Sequence, residues 1–338
     1  MVDDRAARRR AFVVDSGWGD ATESLLAGDA SFRKYFRLRR GDGTRVVMDA
    51  PPPEEDVRPF TRIGRHLSAL GFSAPEIHAV DDAAGFLLLE DLGDDTYARV
   101  LARGLAAGTG GDERGLYALA VDALAALHGR GDTALLPDLT AYAGDALVEA
   151  AMLLPEWYLP AAAGREARAD ELASYRAAWR DTLAAMPAHA ETLLLRDFHM
   201  DNLLWLPGRP GVRACGLLDF QDAQRGHAAY DLMSLIEDAR RDIAPALRDD
   251  MLARYEAAAG VADRAAFRAA FAILAAQRHA RVVGLFVRLL RRDGKPVYLP
   301  HLPRVWRLLD RALEHEACAP LRRWIAAHLP PDARVVRA

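Results

Sequence analysis

Lysine is nearly missing from this chain of 338 residues: only Lys34 and Lys295 occur, although arginine is abundant. Acidic residues slightly outnumber basic ones, and the net charge of −4 speaks against the basic footprint of a nucleic-acid binder. Cysteine is equally scarce. Cys215 and Cys318 alone make no disulfide framework, and Cys215 falls in an apolar strand as a small core residue. No apolar run approaches the ~20 residues needed to span a bilayer. The opening MVDDRAARRRAF lacks the apolar core of a signal peptide. These absences lead us to expect a cytoplasmic protein with no membrane span and no nucleic-acid partner. Internal repeats and long low-complexity segments are also missing. What remains is 51% hydrophobic and 27% charged, ordinary for an ordered globular protein, and long enough for two lobes with cores of their own.

The informative text runs from Leu193 to Asp231: LLLRDFHMDNLLWLPGRPGVRACGLLDFQDAQRGHAAYD. Two apolar strands, Leu203–Leu206 and Cys215–Leu218, flank a turn rich in Pro and Gly, which is a hairpin signal. A polar loop, Arg196 to Asn202, precedes the first strand, and Asp219 ends the second. A hairpin brings such ends together, so Asp197, Asn202 and Asp219 can converge. Phosphoryl transfer needs this set: a carboxylate to orient an attacking hydroxyl and accept its proton, and oxygen ligands for Mg2+ on the nucleotide phosphates. The spacing Asp-x-x-x-x-Asn from Asp197 to Asn202 is that of the kinase catalytic loop, and Asp219-Phe220-Gln221 stands where kinases carry Asp-Phe-Gly. The plain alternative makes Asp197 and Asn202 turn formers and Asp219 a helix cap. The strand–loop–strand context favours the chemical reading.

Around this stretch the chain divides by pattern. Residues 4–14 suit a short charged helix. From Gly28, two strands are joined by Gly41-Asp42-Gly43; in the first, Phe32, Lys34, Phe36 and Leu38 alternate with Arg33, Tyr35, Arg37 and Arg39. The second strand is Arg45–Met48. A helix follows, with Phe60, Ile63, Leu67 and Leu70 at helical spacing and Glu54 and Glu55 at its start. Ile77–Val80 and Phe86–Leu89 are further strands. Beyond them helices dominate, over Glu171–Ala185, Leu232–Arg240, Leu247–Ala259 and Ala265–Leu290, with one more marked by Trp306, Leu309 and Leu313. The expectation is an α+β chain of bilobal, protein-kinase-like architecture: a small β-rich N-lobe over 1–89 that binds nucleotide, a hinge over 90–95, and a large mainly helical C-lobe over 96–338 that carries catalysis and the acceptor.

Several segments narrow this further: Ser31-Phe32-Arg33-Lys34-Tyr35-Phe36-Arg37, Met48-Asp49-Ala50-Pro51-Pro52, Leu89-Glu90-Asp91-Leu92-Gly93, Glu156-Trp157-Tyr158-Leu159, Arg196–Leu206, Leu218–Asp222 and Asp293-Gly294-Lys295-Pro296. With them the chain resembles the aminoglycoside-phosphotransferase-like branch of the kinase fold. Within that branch it is similar to the anomeric sugar kinases of bacterial cell-wall recycling, which phosphorylate N-acetylmuramate and N-acetylglucosamine at the C1 hydroxyl. The resemblance implies ATP and Mg2+ as cofactors and a small-molecule sugar as acceptor, and calls for no obligate protein partner. It makes Asp197 the catalytic base and Asn202 and Asp219 the metal ligands. It puts the adenine on the backbone from Glu90 to Leu92, and makes Asp231 a structural residue that binds backbone. His128 matches a helix end and is expected to pack rather than react.

One departure bears on mechanism. Kinases commonly carry a lysine on the third strand for the α and β phosphates, but here that position holds Met48. Lys34 is the candidate replacement, since its strand phase groups it with Phe32 and Phe36. Arg33 alternates to the other side. The alternative is that both are surface charges beside a phosphate loop. Gly28-Asp29-Ala30-Ser31 can serve as that loop, with backbone N–H groups and Ser31 near phosphate. For the sugar, Gln221 and Asp222 follow the metal ligand. Trp157 and Tyr158 can stack on a sugar face or pack in the core, and Arg225 and His227 are candidates for a lactyl carboxylate. Two other functions stay open: a kinase for another alcohol, such as an aminoglycoside or amino alcohol, and a nucleotide-binding pseudokinase. A polycationic acceptor would call for carboxylates near 150–180 or 275–300, where arginine is frequent instead. The retained Asp197, Asn202 and Asp219 weigh against the pseudokinase.

Overall fold

Strand patterning around Gly41-Asp42-Gly43 becomes the middle of a five-stranded antiparallel sheet in the computed structural model, which describes residues 2–28, 32–104 and 111–336. The strands are β1 (Thr22–Gly28), β2 (Lys34–Arg40), β3 (Gly43–Asp49), β4 (Ile77–Asp81) and β5 (Phe86–Glu90), in the order β1-β2-β3-β5-β4. β1 was not legible in the sequence. It is an edge strand, and Thr22 to Leu25 are all exposed, so no alternation marks it. One face of the sheet is covered by α1 (Val2–Val13): Phe12 and Val13 pack with Leu38, Val47, Phe86 and Leu88. Fully burying side chains of this kind stabilises by roughly 1.5–3 kcal/mol each. Arg5 and Arg9 then fix α1 to the buried carboxylate of Asp49, at 2.6 and 2.9 Å.

α2 (Arg58–Ala69) buries Phe60, Ile63 and Leu67 on one face, as the helical spacing predicts. It begins later than expected, so Glu54 and Glu55 lie in a turn before it rather than in its first residues. Gly64 faces the ring of Phe220, which a Cβ there would meet at 3.2 Å, so a larger residue would press on the ring. α3 (Tyr97–Arg103) starts on Thr96, whose Oγ1 accepts from the Arg99 N–H at 3.3 Å, and α4 (Glu113–His128) follows. The chain continues through α5 (Asp145–Ala151), α6 (Leu159–Ala163), α7 (Ala169–Ala184) and β6 (Thr192–Leu194). It then forms the expected hairpin, β7 (Leu203–Trp205) antiparallel to β8 (Cys215–Leu217). After β9 (Gln224–Gly226), which pairs with β6, come α8 (Ala229–Ile236), α9 (Pro245–Ala258), α10 (Arg264–Asp293), α11 (Leu302–Leu313) and α12 (Ala319–His328).

Two compact units result: Met1–Ala123 with Met200–Ala223, and Leu124–His199 with Gln224–Ala338. The hairpin joins the unit of the sheet because Trp205 N–H donates to the Asp95 carbonyl at 2.8 Å and Leu217 N–H to that of Ser73 at 2.9 Å. In the second unit α10 is the central helix. The Asp263 side chain caps its start by accepting from Ala266 N–H at 2.9 Å, and Gly294, at φ 64°, ends it. By length and composition α10 could cross a membrane, but its most apolar window is 89% buried within the protein. Gly284 lies so close to Leu153 that a Cβ would meet that backbone carbonyl at 2.1 Å.

Candidate active site

In the first unit, the sheet face opposite α1 lines a cavity of about 280 Å³. Pairing sets which residues reach it. Tyr35 lies opposite Met48, and Arg37 opposite Val46, which in turn lies opposite Leu89. Tyr35, Val46 and Leu89 line the cavity, together with Glu90 to Gly93 after β5, Leu204 and Leu218 of the hairpin, Asn202 and Asp219. Glu90 and Leu92 are therefore brought together on this cavity. Among the described residues, no hydrogen bond takes up the backbone N–H or C=O of Leu92. The segment is held from behind by Arg37, which bonds Asp91 at 2.7 Å and Asp94 at 2.7 Å, while Asp91 accepts from Gly93 N–H at 3.0 Å. Glu90 is taken by Arg209 of the hairpin turn.

Asn202 and Asp219 meet at the root of the hairpin. Asn202 Nδ2 donates to Asp219 Oδ2 at 3.2 Å, and Leu218 N–H donates to the Asn202 carbonyl at 2.9 Å. A half-turn of the amide exchanges its nitrogen for its oxygen, so the pair offers hard oxygen donors of the kind Mg2+ takes, with further positions left to water and phosphate. The residues present fit that ion. Asp219 has φ 57°, and with Arg196 at φ 67° it is one of two non-glycine residues in the left-handed region among those described. Strain of this kind gathers where function over-determines the backbone. Gln221 Nε2 donates to Asp219 Oδ1 at 2.8 Å, so Gln221 steadies this carboxylate. Asp222 is exposed.

The lysine substitute is corrected by the structure. Lys34 is exposed, and the side of β2 with which it shares phase is the α1 side, not the cavity side. Arg33, expected to point outward, is the inward cation. Its side chain is 11% exposed and lies between Asp219 Oδ1 at 3.5 Å and Glu55 Oε2 at 3.6 Å. Glu55 also accepts from Phe32 N–H at 3.1 Å. Ser31 falls outside the described residues.

Asp197 belongs to the second unit, five residues before Asn202 in the chain. The fully buried Asp231 shapes its loop: its two oxygens accept from Leu195 N–H at 2.6 Å and Arg196 N–H at 2.8 Å. Asp231 therefore binds backbone and holds Arg196 in its strained conformation. His128 packs behind, its Nδ1 2.7 Å from the Tyr255 hydroxyl. Arg278, a buried arginine of α10, spans the site: Nη1 donates to the Arg196 carbonyl and the Tyr230 hydroxyl at 3.2 Å each, and Nη2 lies 3.4 Å from Asp197 Oδ1. Burial pushes the Asp197 carboxyl up, and the guanidiniums of Arg278, Arg281 and Arg196 pull it down further. The result lies below the usual carboxylate range, so Asp197 is ionised at neutral pH. Sequence reasoning missed Arg278, though a signal existed: Gln277-Arg278-His279 is a polar triplet inside an apolar helix, and all three residues are buried.

Other acceptor candidates are also corrected. Tyr158 is buried, donates its hydroxyl to the Arg334 carbonyl at 2.8 Å and meets Trp306 edge-on, so it presents no face to a sugar. Trp157 is half-buried. Arg225 is paired with Glu191 at 2.7 Å. His227 is buried, and burial together with nearby His189 and His128 pushes it down to about 3, so it stays neutral.

Residues 22–270 match the phosphotransferase enzyme family. The chain belongs to this family. An N-acetylmuramate/N-acetylglucosamine kinase of Caulobacter vibrioides is 38% identical over 368 residues, 99% of either chain. Another of the same description, from Pseudomonas aeruginosa, is 37% identical over 89% of this chain and 87% of its own. Among solved structures, a choline/ethanolamine kinase family protein from Mesorhizobium loti superposes with a TM-score of 0.62 at 19% identity, covering 96% of this chain and 100% of that one. The family and these relatives make the chain an ATP-dependent phosphotransferase of protein-kinase-like, α+β fold. Met48 is fully buried on the cavity side of β3, where a lysine is common in the fold.

Proposed function

We propose that this phosphotransferase moves the γ-phosphoryl group of ATP to the anomeric C1 hydroxyl of N-acetylmuramate and N-acetylglucosamine, giving sugar 1-phosphates for peptidoglycan recycling. The observation that carries this reading is the match over nearly the whole chain to a relative named for those two sugars. The choice of C1 rests on the segments shared with anomeric kinases.

In this reading residues 1–89 serve the nucleotide, 90–95 hold its base, and 96–338 supply the acceptor side. Adenine lies against Tyr35, Val46 and Leu89 with the Leu92 backbone as hydrogen-bond partner, and Arg33 provides the phosphate-side cation that Met48 cannot. Asn202 and Asp219 would hold Mg2+, which would supply neutralising charge on the phosphates. Asp197, kept ionised by its arginines, orients the C1 hydroxyl and takes its proton. The C1 oxygen forms the new bond to the γ-phosphorus, the bond to the β–γ bridging oxygen breaks, and ADP leaves. Gln221, Asp222 and Trp157 remain the candidates for the sugar's neutral hydroxyls. Dependence on ATP fits a cytoplasmic location.

The test is turnover with ATP over a panel of acceptors: the two amino sugars, aminoglycosides and amino alcohols. Phosphate appearing at C1 of either amino sugar, located by phosphorus–proton NMR coupling, supports the reading. Turnover confined to another alcohol overturns the acceptor. No turnover with any of them supports the pseudokinase.

A further inference from the structure

The face of α10 that carries Arg278 continues with two further cations, Arg281 and Arg288. Arg281 lies one turn on from Arg278, and Arg288 two turns beyond Arg281 on almost the same azimuth, since seven residues make nearly two full turns at about 3.6 residues per turn. Both are half-buried. Among the described residues, no hydrogen bond or ion pair engages Arg281, and the Nε of Arg288 is buried with no hydrogen-bond partner. The acid whose charge acts on Arg288 is Asp293, itself paired with Arg292 at 2.7 Å.

Lack of acid does not explain this. The chain holds 48 Asp and Glu against 44 Lys and Arg. Elsewhere in the same unit arginines find carboxylates: Arg165 meets Glu171 at 2.6 Å, Arg248 and Arg311 meet Glu237 at 2.8 Å, and Arg268 meets Glu256 at 2.7 Å. Leaving two half-buried guanidiniums side by side costs stability. Burial and the neighbouring charges of Arg292 and Arg281 pull Arg288 below its ordinary pKa, the mark of a cation in need of a counter-charge. Arg281 is also in the neighbourhood of the chemistry, since its charge acts on Asp197, Tyr142 and Tyr230. The missing anion therefore belongs to a molecule that approaches Asp197.

We propose that Arg281 and Arg288 form the carboxylate-recognition site of the acceptor, binding the lactyl carboxylate that N-acetylmuramate carries and N-acetylglucosamine lacks. This rests on the acceptor reading above and deepens it. Guanidinium forks match carboxylate geometry, which suits arginine to the task. Because N-acetylglucosamine brings no anion, the site sets the preference between the two sugars. It replaces Arg225 and His227, which are already engaged.

The experiment compares kcat/KM for the two sugars in the wild type, Arg288→Gln and Arg281→Gln, and for N-acetylmuramate methyl ester in the wild type. A lost charged hydrogen bond corresponds to roughly ten- to a hundredfold. The N-acetylmuramate to N-acetylglucosamine ratio should fall by that factor in Arg288→Gln, and Arg288→Lys should restore part of it. Arg281→Gln should lower the ratio too, with some loss on both sugars because Arg281 also acts on Asp197. The methyl ester needs no variant to fold, and should lose a similar factor against the free acid. Ratios within about twofold of wild type in both variants, with an ester as good as the acid, overturn the site while leaving the acceptor reading intact. A wild type that turns over neither sugar overturns the acceptor reading, and this site with it.

Discussion

Replacing Arg33 with methionine keeps the length of the stem and removes the charge. Arg33 stands 3.5 Å from Asp219 and 3.6 Å from Glu55, distances too long for strong hydrogen bonds. Under the proposed function the same guanidinium, with 11% of its side chain exposed, would be the positive group beside Asp219 that stands in for the lysine absent at Met48. Losing one charged hydrogen bond to phosphate costs about 1.5–3 kcal/mol, or about ten- to a hundredfold in kcat/KM for ATP. Lys34→Met, at an exposed position in phase with the α1 side, should stay within about twofold of wild type. Arg33→Lys should recover part of the loss, because an ammonium keeps the charge but not the planar fork. The assay is initial rate against ATP at saturating acceptor, repeated over a Mg2+ titration. Arg33→Met within about threefold of wild type, or Lys34→Met with the larger loss, would refute the assignment. A changed Mg2+ requirement with an unchanged ATP dependence would make Arg33 a prop for Asp219 instead.

Asp197→Asn should lower kcat by about 10²–10⁴-fold and leave ADP affinity, measured by calorimetry, near wild type; a variant retaining a tenth of the rate contradicts its role as base. Asp219→Ala should weaken ATP binding in Mg2+ while changing metal-free binding far less, and equal losses in both conditions mean that Asp219 is structural. Two hydrogen bonds from Arg165, reinforced by the Arg168 N–H, hold Glu171 at about 2, below its value of about 4.3 in an unfolded chain. A depressed carboxylate stabilises the fold above the unfolded pKa, and that contribution is lost as pH falls from about 4.3 towards 2. Glu171→Gln should therefore be less stable than wild type at neutral pH and converge with it in acid, read from urea midpoints across pH; a constant gap excludes the linkage.

The hairpin and its carboxylates were legible because two short apolar strands around a Pro/Gly turn leave little choice of pairing, and the pairing brings Asn202 to Asp219. Asp231 was legible only through resemblance, but the two backbone hydrogen bonds it accepts account for it physically. The placement of Arg33 and Lys34 was not legible. Period two says which residues share a face of β2, but not what covers that face, and α1 is contributed from a separate stretch of chain. Phase alone puts a ligand and α1 on equal footing for the apolar side, and α1 occupies it. Tyr158 shows the same limit: an aromatic beside Trp157 looks the same in sequence whether it packs on Trp306 or on a sugar. Arg281 and Arg288 sit in helical text where arginine is common, and only the carboxylates around the other arginines set them apart.

Arg37 has a thermodynamic consequence for whatever enters the cavity of the first unit. Its guanidinium grips Asp91 and Asp94 on either side of Gly93, whose φ of 87° suits the bend between them. The wall formed by Glu90 to Gly93 is thus ordered when the chain folds, not when a ligand arrives. A purine base docking on it forfeits little backbone freedom, so its binding entropy should be less unfavourable than for a wall that must first be organised. The amide of Gly93, donated to Asp91, should exchange with deuterium slowly in the free protein and change little when nucleotide is added. The Leu92 amide, with no acceptor of its own among the described residues, should exchange fast until a base supplies one.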